Sequence, residues 1–295
     1  MANIAYVTSN TSHASVTTTK AMLESKGHTV TLFTSAAATT VGLAPYDIVL
    51  TSRTTENATH SAVIKAVSDS GKPVLCGFGT LTAGSDQATT PAVVCKIAPS
   101  ERGISSGNRQ TFYADVASPV YDGTGITIPS TVNFATATTF TASIPKAGAS
   151  PGDIVGSLAS TATDRGIIFF AAGGSATYDG GVFGGNIGYC GFLYGGAAYS
   201  TQAATIIDNM IQLLMSQGFV LSGTVKDASA NPLARRVRAH RRSDGRMVAS
   251  AMSNGTTGAF TLHVWSTDPH YMVCLDADGG TKNALIKDRV IPVEV

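Results

Sequence analysis

KPVLCGFG, residues 72–79, places an apolar run of strand length directly behind a helical segment. In that segment, residues 59–70, Val63, Ala66 and Val67 share one face, and Gly71 supplies the stop. Toward the N-terminus the same alternation repeats. Residues 3–8 read as a strand, 14–26 as a helix closed by Gly27, 28–34 as a second strand and 47–51 as a third. Such a βαβ rhythm predicts a parallel sheet with helices on both faces.

The stretch also resembles a catalytic element. In class I glutamine amidotransferases a strand of the form KPVLGICxG ends in a sharp turn that carries a nucleophilic cysteine. Aligned on Lys72, Pro73, Val74 and Leu75, the nucleophile position falls on Phe78, whose ring has no lone pair to attack with. Cys76 is no substitute, because a nucleophile elbow needs small residues two positions either side and here they are Val74 and Phe78. The late segment 188–199, GYCGFLYGGAAY, contains neither the His nor the acid that the family's triad requires. The resemblance therefore implies a flavodoxin-like, amidotransferase-like α/β domain over residues 1–218, similar to the trehalose-utilisation-type branch, without its chemistry.

The rhythm breaks at residues 80–152, a Thr-rich stretch with β-prone segments such as 131–144, which reads as an antiparallel insertion or extension. Strands resume at 153–159 and at 166–172 (GIIFFAA), the latter apolar enough for a central strand, and 186–193 reads as the last strand. The glycines of 171–196 lack dinucleotide-fingerprint spacing and instead suit tight turns or close packing against a neighbouring subunit. A helix over about 200–217 then sets Ala203, Ile206, Ile207, Met210, Ile211 and Leu214 at core spacing.

From Leu221 the chain changes character, with short alternating strands punctuated by Asn-Pro, Asp-Gly and Thr-Gly turns. Gly223, Val225, Asp227, Pro232, Gly258 and Phe260 resemble the pattern of carboxypeptidase-regulatory-like β-sandwiches, with Ala230-Asn231 in place of the usual Gly before Pro. A second, Ig-like domain over 222–295 is expected. Its closing stretch 283–293, NALIKDRVIPV, resembles the end of modules in tailed-bacteriophage virion proteins.

Composition narrows the function. Charged residues make up 13% of the chain, about half the usual share, and the formal net charge is +1. That balance gives no electrostatic case for nucleic acid, and no apolar run approaches the roughly 20 residues of a membrane span. The start MANIAYVTSNTSH lacks a basic n-region and a long apolar h-region, so no signal peptide is expected. Cys76, Cys95, Cys190 and Cys274 show neither CxxC pairing nor metal-ligand spacing. They are expected as free thiols, their disulfide state being open, and no cofactor or metal is expected.

Two groups of residues invite a functional reading. Asn10, His13, Arg53 and Phe78 fall at the carboxyl edge of the expected sheet, as a vestigial pocket. The loop 8–15 there, TSNTSHAS, stands where flavodoxins hold a phosphate, but it has no Gly for close backbone approach and is read instead as helix capping by Ser12 or Thr11. Arg235, Arg236, Arg238, Arg241 and Arg242 form the dense charge cluster, with Arg236, Arg238 and His240 on one strand face, either solvated or contacting a partner. The expectation is a non-catalytic structural subunit of a bacteriophage particle, in the tail or baseplate first and capsid decoration second. It would be made in the host cytoplasm and partnered by other virion proteins and by copies of itself. The alternative is a small-molecule or glycan-binding protein or hydrolase using the carboxyl edge.

Overall fold

A computed structural model describes residues 1–52, 58–79, 86–136, 139–193, 198–216, 219–227, 229–242, 245, 247–264, 269–275 and 285–294, with backbone alone at 104–109, 139–140 and 294. The first part runs β1 (Asn3–Thr8), α1 (Ala14–Ser25), β2 (Thr29–Thr34), α2 (Thr40–Leu43), β3 (Ile48–Thr51), α3 (Ala58–Asp69) and β4 (Val74–Gly77). Next come β5 (Asp86–Gln87), α4 (Pro91–Val94), β6 (Glu101–Arg109), β7 (Thr111–Ala114), β8 (Ser130–Asn133) and β9 (Thr139–Pro145). Then β10 (Asp153–Ala159), β11 (Ala162–Ala171), β12 (Ile187–Cys190) and α5 (Thr201–Met215) close the α/β portion.

Its main sheet is ordered β2-β1-β3-β4-β12-β11-β10-β7-β8. Pairing is parallel from β2 through β12 and antiparallel from β12 onward. This is a mixed α/β architecture. Every residue of β3, β4 and β12 is buried, as expected of strands covered on both faces. Alternate side chains enter two different cores. Ile4, Tyr6, Leu50 and Leu75 pack with Val16 and Leu23 of α1 and the apolar face of α5. Ala5, Val7, Val49, Val74 and Cys76 pack with Leu43 of α2 and Ile64 and Val67 of α3.

α5 shows how the pattern becomes stability. Ser200 caps it by accepting the Ala203 N–H at 3.0 Å, and its six expected core residues are all buried. Each of the larger ones contributes on the order of 2 kcal/mol on burial.

The 80–152 region is β-rich as expected, and its strands both extend and fork the sheet. Ile168–Ala171 of β11 pairs with β12, while Arg165 and Gly166 pair with β9, which carries β6 and β5 beyond it. GIIFFAA is a buried interior strand, but it is antiparallel to its neighbours. The short helices α2 and α4 were not foreseen, since four residues are too few for a readable period.

Close packing explains the glycines. A Cβ on Gly77 would lie 2.4 Å from the Thr51 carbonyl oxygen, so the strand end tolerates no side chain. In the 171–196 region, Cβ atoms on Gly184 and Gly185 would come within 2.5 Å of Asp69 and Lys72 backbone atoms. That close approach is to the chain's own α3–β4 connection.

The remaining strands are β13 (Phe219–Thr224), β14 (Arg236–Arg241), β15 (Met247–Met252), β16 (Ala259–Val264), β17 (His270–Cys274), β18 (Leu285–Val290) and β19 (Val293–Glu294). They form two antiparallel sheets, β16-β13-β19 and β15-β14-β17-β18. Leu221, Val237, Ala239, Phe260, Leu262 and Met272 belong to a core of their own between them. The turn before Pro232 is tied by Asp227, whose carboxylate accepts the Ser229 and Asn231 N–H groups at 2.9 and 2.8 Å. Ala230 takes φ +67° there, the conformation a glycine would hold without strain.

Candidate functional site

The carboxyl edge of the parallel strands is where an amidotransferase-like fold would do its chemistry. Phe78 leaves β4 only 3% exposed and packs into the core shared with α1 and α5, so its ring is not presented to a cleft. In a nucleophile elbow the N–H of the following residue stabilises the oxyanion. The following residue is Gly79, and its N–H donates to Glu101 Oε1 at 3.2 Å. An acceptor already occupies the position where an oxyanion would have to bind.

Glu101 begins β6, the strand brought in by the 80–152 region, and it is fully buried. The same Oε1 accepts the Tyr189 hydroxyl of β12 at 3.2 Å. Burial, followed by the neighbouring Glu101, pushes the Tyr189 phenol well above its ordinary value, so it remains a donor. No feature of the sequence marked Glu101. It is one of four acids in the Thr-rich segment 80–152, with Asp86, Asp115 and Asp122, and only the fork at β11 carries β6 to the tip of β4.

Two of the thiols, Cys76 and Cys190, are equally unsuited to attack. A hydrogen bond with Cys95, then burial, holds the Cys76 thiol well above the usual range. Burial pushes Cys190 up to about 12. A nucleophile needs the thiolate, which such environments disfavour. Cys76, Cys95, Cys190 and Cys274 are all unbridged.

His13 and Asn10 serve the backbone. His13 is the N-cap of α1, its Nδ1 accepting the Ser15 N–H at 3.3 Å and lying 2.7 Å from the Ser15 hydroxyl. The cap is thus His13, where Ser12 or Thr11 was expected. Exposed Asn10 closes a local turn through its Oδ1, which accepts from the Ser12 N–H and hydroxyl at 3.0 and 2.8 Å. Arg53 lies outside the described residues. A His–carboxylate pair does occur, at the opposite end of the strands. His28 Nδ1 accepts the Ala2 N–H at 3.1 Å, so Nε2 carries the proton toward Asp208 Oδ1 at 2.9 Å. It fastens the chain start to α5.

A Ser-Lys-Asp group, also unforeseen, joins β10 to the loops after β7 and β9. Lys146 Nζ reaches Asp115 Oδ2 at 2.7 Å and Ser157 Oγ at 2.5 Å. Ser157 donates its hydroxyl to Asp115 and is fully buried, so the group braces the sheet and offers no accessible nucleophile.

The arginine cluster divides. Arg235 is half-buried and its Nη1 donates to the Ala234 carbonyl at 2.9 Å. Arg242 is exposed and pairs with Asp288 at 2.9 Å. Arg241, expected as a partner contact, is 2% exposed and bound to Asp153 of β10 at 2.8 Å, inside the chain. Arg236 and Arg238, expected on a solvated or partner-facing strand face, line a cleft against the α/β portion. No group of three or more His, Cys, Asp or Glu among the described residues is placed to hold a metal ion. No helix among them is long and apolar enough to cross a membrane.

No protein-family model matches the chain, and comparison with curated proteins finds no match.

Proposed function

We propose that this chain is a non-catalytic structural and interaction subunit of a larger particle of bacteriophage type, in the tail or baseplate first and as capsid decoration second. The observation that carries the non-catalytic half is the Gly79 N–H held by Glu101 beside a buried Phe78. Nucleophile position and oxyanion donor are both committed to structure there, which leaves a covalent mechanism of the amidotransferase kind no starting point.

The order β2-β1-β3-β4-β12 of the parallel strands supports a flavodoxin-like ancestry for that portion. Paired sheets around a separate core, with the Asp227 turn before Pro232, support the carboxypeptidase-regulatory-like reading of the C-terminal portion and a division near residue 220. Assembly draws support from the edge of the second sheet. β18 is an edge strand whose Leu285 and Ile286 are 71% and 63% exposed, and Ile291 and Val293 beyond it are 66% exposed. An edge strand is a template for pairing with another chain, and although Lys287, Asp288 and Arg289 follow on β18, the exposed apolar residues at its start and beyond its end give a partner surface to cover.

Purified particles from the source virus, examined by mass spectrometry, should contain this chain in many copies, and the isolated chain should sediment as an oligomer at high concentration. A monodisperse monomer that is absent from particles and turns over a small molecule would replace this reading with the enzyme alternative.

A further inference from the structure

Where β14 and β15 face the α/β portion, a half-open cleft of about 580 Å³ separates them from Pro99, Ala149 and the loop carrying Thr177 and Tyr178. That volume lies within the roughly 300–1,000 Å³ of small-ligand sites. Three features of its walls bear on what it holds.

The first is unsatisfied polarity. Arg238 Nε and Ser250 Oγ are buried atoms that lack a hydrogen-bond partner, and both residues line the cleft. They are cross-strand neighbours in register, and Ser250 is only 3% exposed. A buried N–H of a cation left without an acceptor is costly in a folded protein. Both atoms are closed to solvent in this arrangement, so an oxyanion that parts the Arg238 and Ser250 side chains as it enters would satisfy both. Arg236, two residues along the same strand, lines the cleft as well and adds a second positive charge.

The second is charge balance. Asp179, the carboxylate beside this loop, is already committed. Thr177 and then Lys96 hold it at about 2, with Lys96 Nζ 3.0 Å away. It does not neutralise the arginines. The third is a fixed aromatic wall. Tyr178 is 37% exposed, and its backbone N–H is bound by Ser150 Oγ at 2.9 Å. A part-exposed tyrosine ring on a rigid support, in a cleft that Thr177 and Ser250 also line and with the Lys96 ammonium 5.9 Å from its centroid, suits the mixed apolar and hydroxyl character of an acidic sugar.

We propose that this cleft binds an acidic saccharide, with a uronate carboxylate held between the Arg238 guanidinium and the Ser250 hydroxyl and the sugar ring against Tyr178. The planar carboxylate matches the guanidinium fork, and Arg236 draws the polyanion in. This site is separate from the carboxyl edge and independent of the assembly reading.

The test is calorimetric titration of the full chain with short oligouronates of the galacturonate, glucuronate and mannuronate series, beside their neutral methyl esters and free acetate. Saturable binding of at least one oligouronate is expected, weakened about tenfold or more by methyl esterification and by Arg238→Ala, the loss of a charge-assisted hydrogen bond. Tyr178→Ala, an exposed change that leaves the fold intact, should weaken it by about threefold or more. If Arg238→Ala loses its native circular dichroism, Ser250→Ala and Arg236→Ala carry the charge arm. No saturable binding in any series overturns the proposal. So does equal binding of the methyl esters or of acetate, or affinity unchanged by Tyr178→Ala together with the folded arginine or serine variants.

Discussion

Arg241 on β14 and Asp153 at the start of β10 meet at 2.8 Å, with their side chains 2% and 6% exposed. The pair ties the four-stranded sheet of the C-terminal portion to the main sheet. A buried pair of this kind is weak evidence of net stabilisation, but losing one partner strands a charge. Arg241→Ala should therefore lower unfolding stability in urea by about 3–5 kcal/mol. The double change Arg241→Met with Asp153→Leu should recover most of that loss, and a double variant as unstable as the single one would contradict the account.

Glu101 satisfies two buried donors at once. Glu101→Ala should lower stability by about 2–4 kcal/mol, since the Gly79 N–H and the Tyr189 hydroxyl lose their acceptor. Restoring a thiol through Phe78→Cys should yield no glutamine hydrolysis above background, because the neighbouring N–H is occupied. Turnover by that single variant, measured as ammonia release, would falsify the view that the edge is structurally committed.

Ala230 sits at φ +67° in the turn before Pro232. A left-handed alanine is strained by roughly 1–2 kcal/mol, and a glycine there gives back part of that through its freer unfolded state. Ala230→Gly should stabilise the chain by up to about 1 kcal/mol, read as a higher urea midpoint at unchanged slope.

Asp179 is held at about 2 by Thr177 and Lys96. A folded value below the ordinary carboxylate range means the contribution is present above the unfolded value near 3.8 and is lost as pH falls toward 2. Its side chain is 39% exposed, so solvent screening limits the contribution to no more than about 1 kcal/mol. Stability curves of Asp179→Asn and the parent chain should differ by that amount at pH 7 and converge between about pH 4 and pH 2.

Cys76, Cys95 and Cys190 are buried, whereas Cys274 is partly exposed. Alkylation of the native chain at pH 8, followed by mass spectrometry, should label Cys274 first and the other three only after unfolding. Rapid native labelling of Cys76 would show that its raised thiol value and its packing are misread.

What the sequence determined by itself were the features carried by local periodicity and by residue chemistry. The helix that became α5 was legible because its apolar residues recur every three or four positions. The alternation of Val237 and Ala239 with Arg236 and Arg238 was legible because a strand has period two. The absence of a nucleophile at Phe78 followed from the side chain alone.

Tertiary structure decided everything that depends on which distant segments meet. The fork of β11 between β9 and β12 brings Glu101 onto the Gly79 N–H, across 22 residues of sequence. The docking of β14 takes Arg241 away from any partner and delivers it to Asp153, 88 residues earlier, while leaving Arg238 Nε unsatisfied at a cleft. Local pattern reports the face on which a residue lies. Only long-range pairing determines what that face meets, because burial and hydrogen-bond satisfaction are properties of the assembled chain.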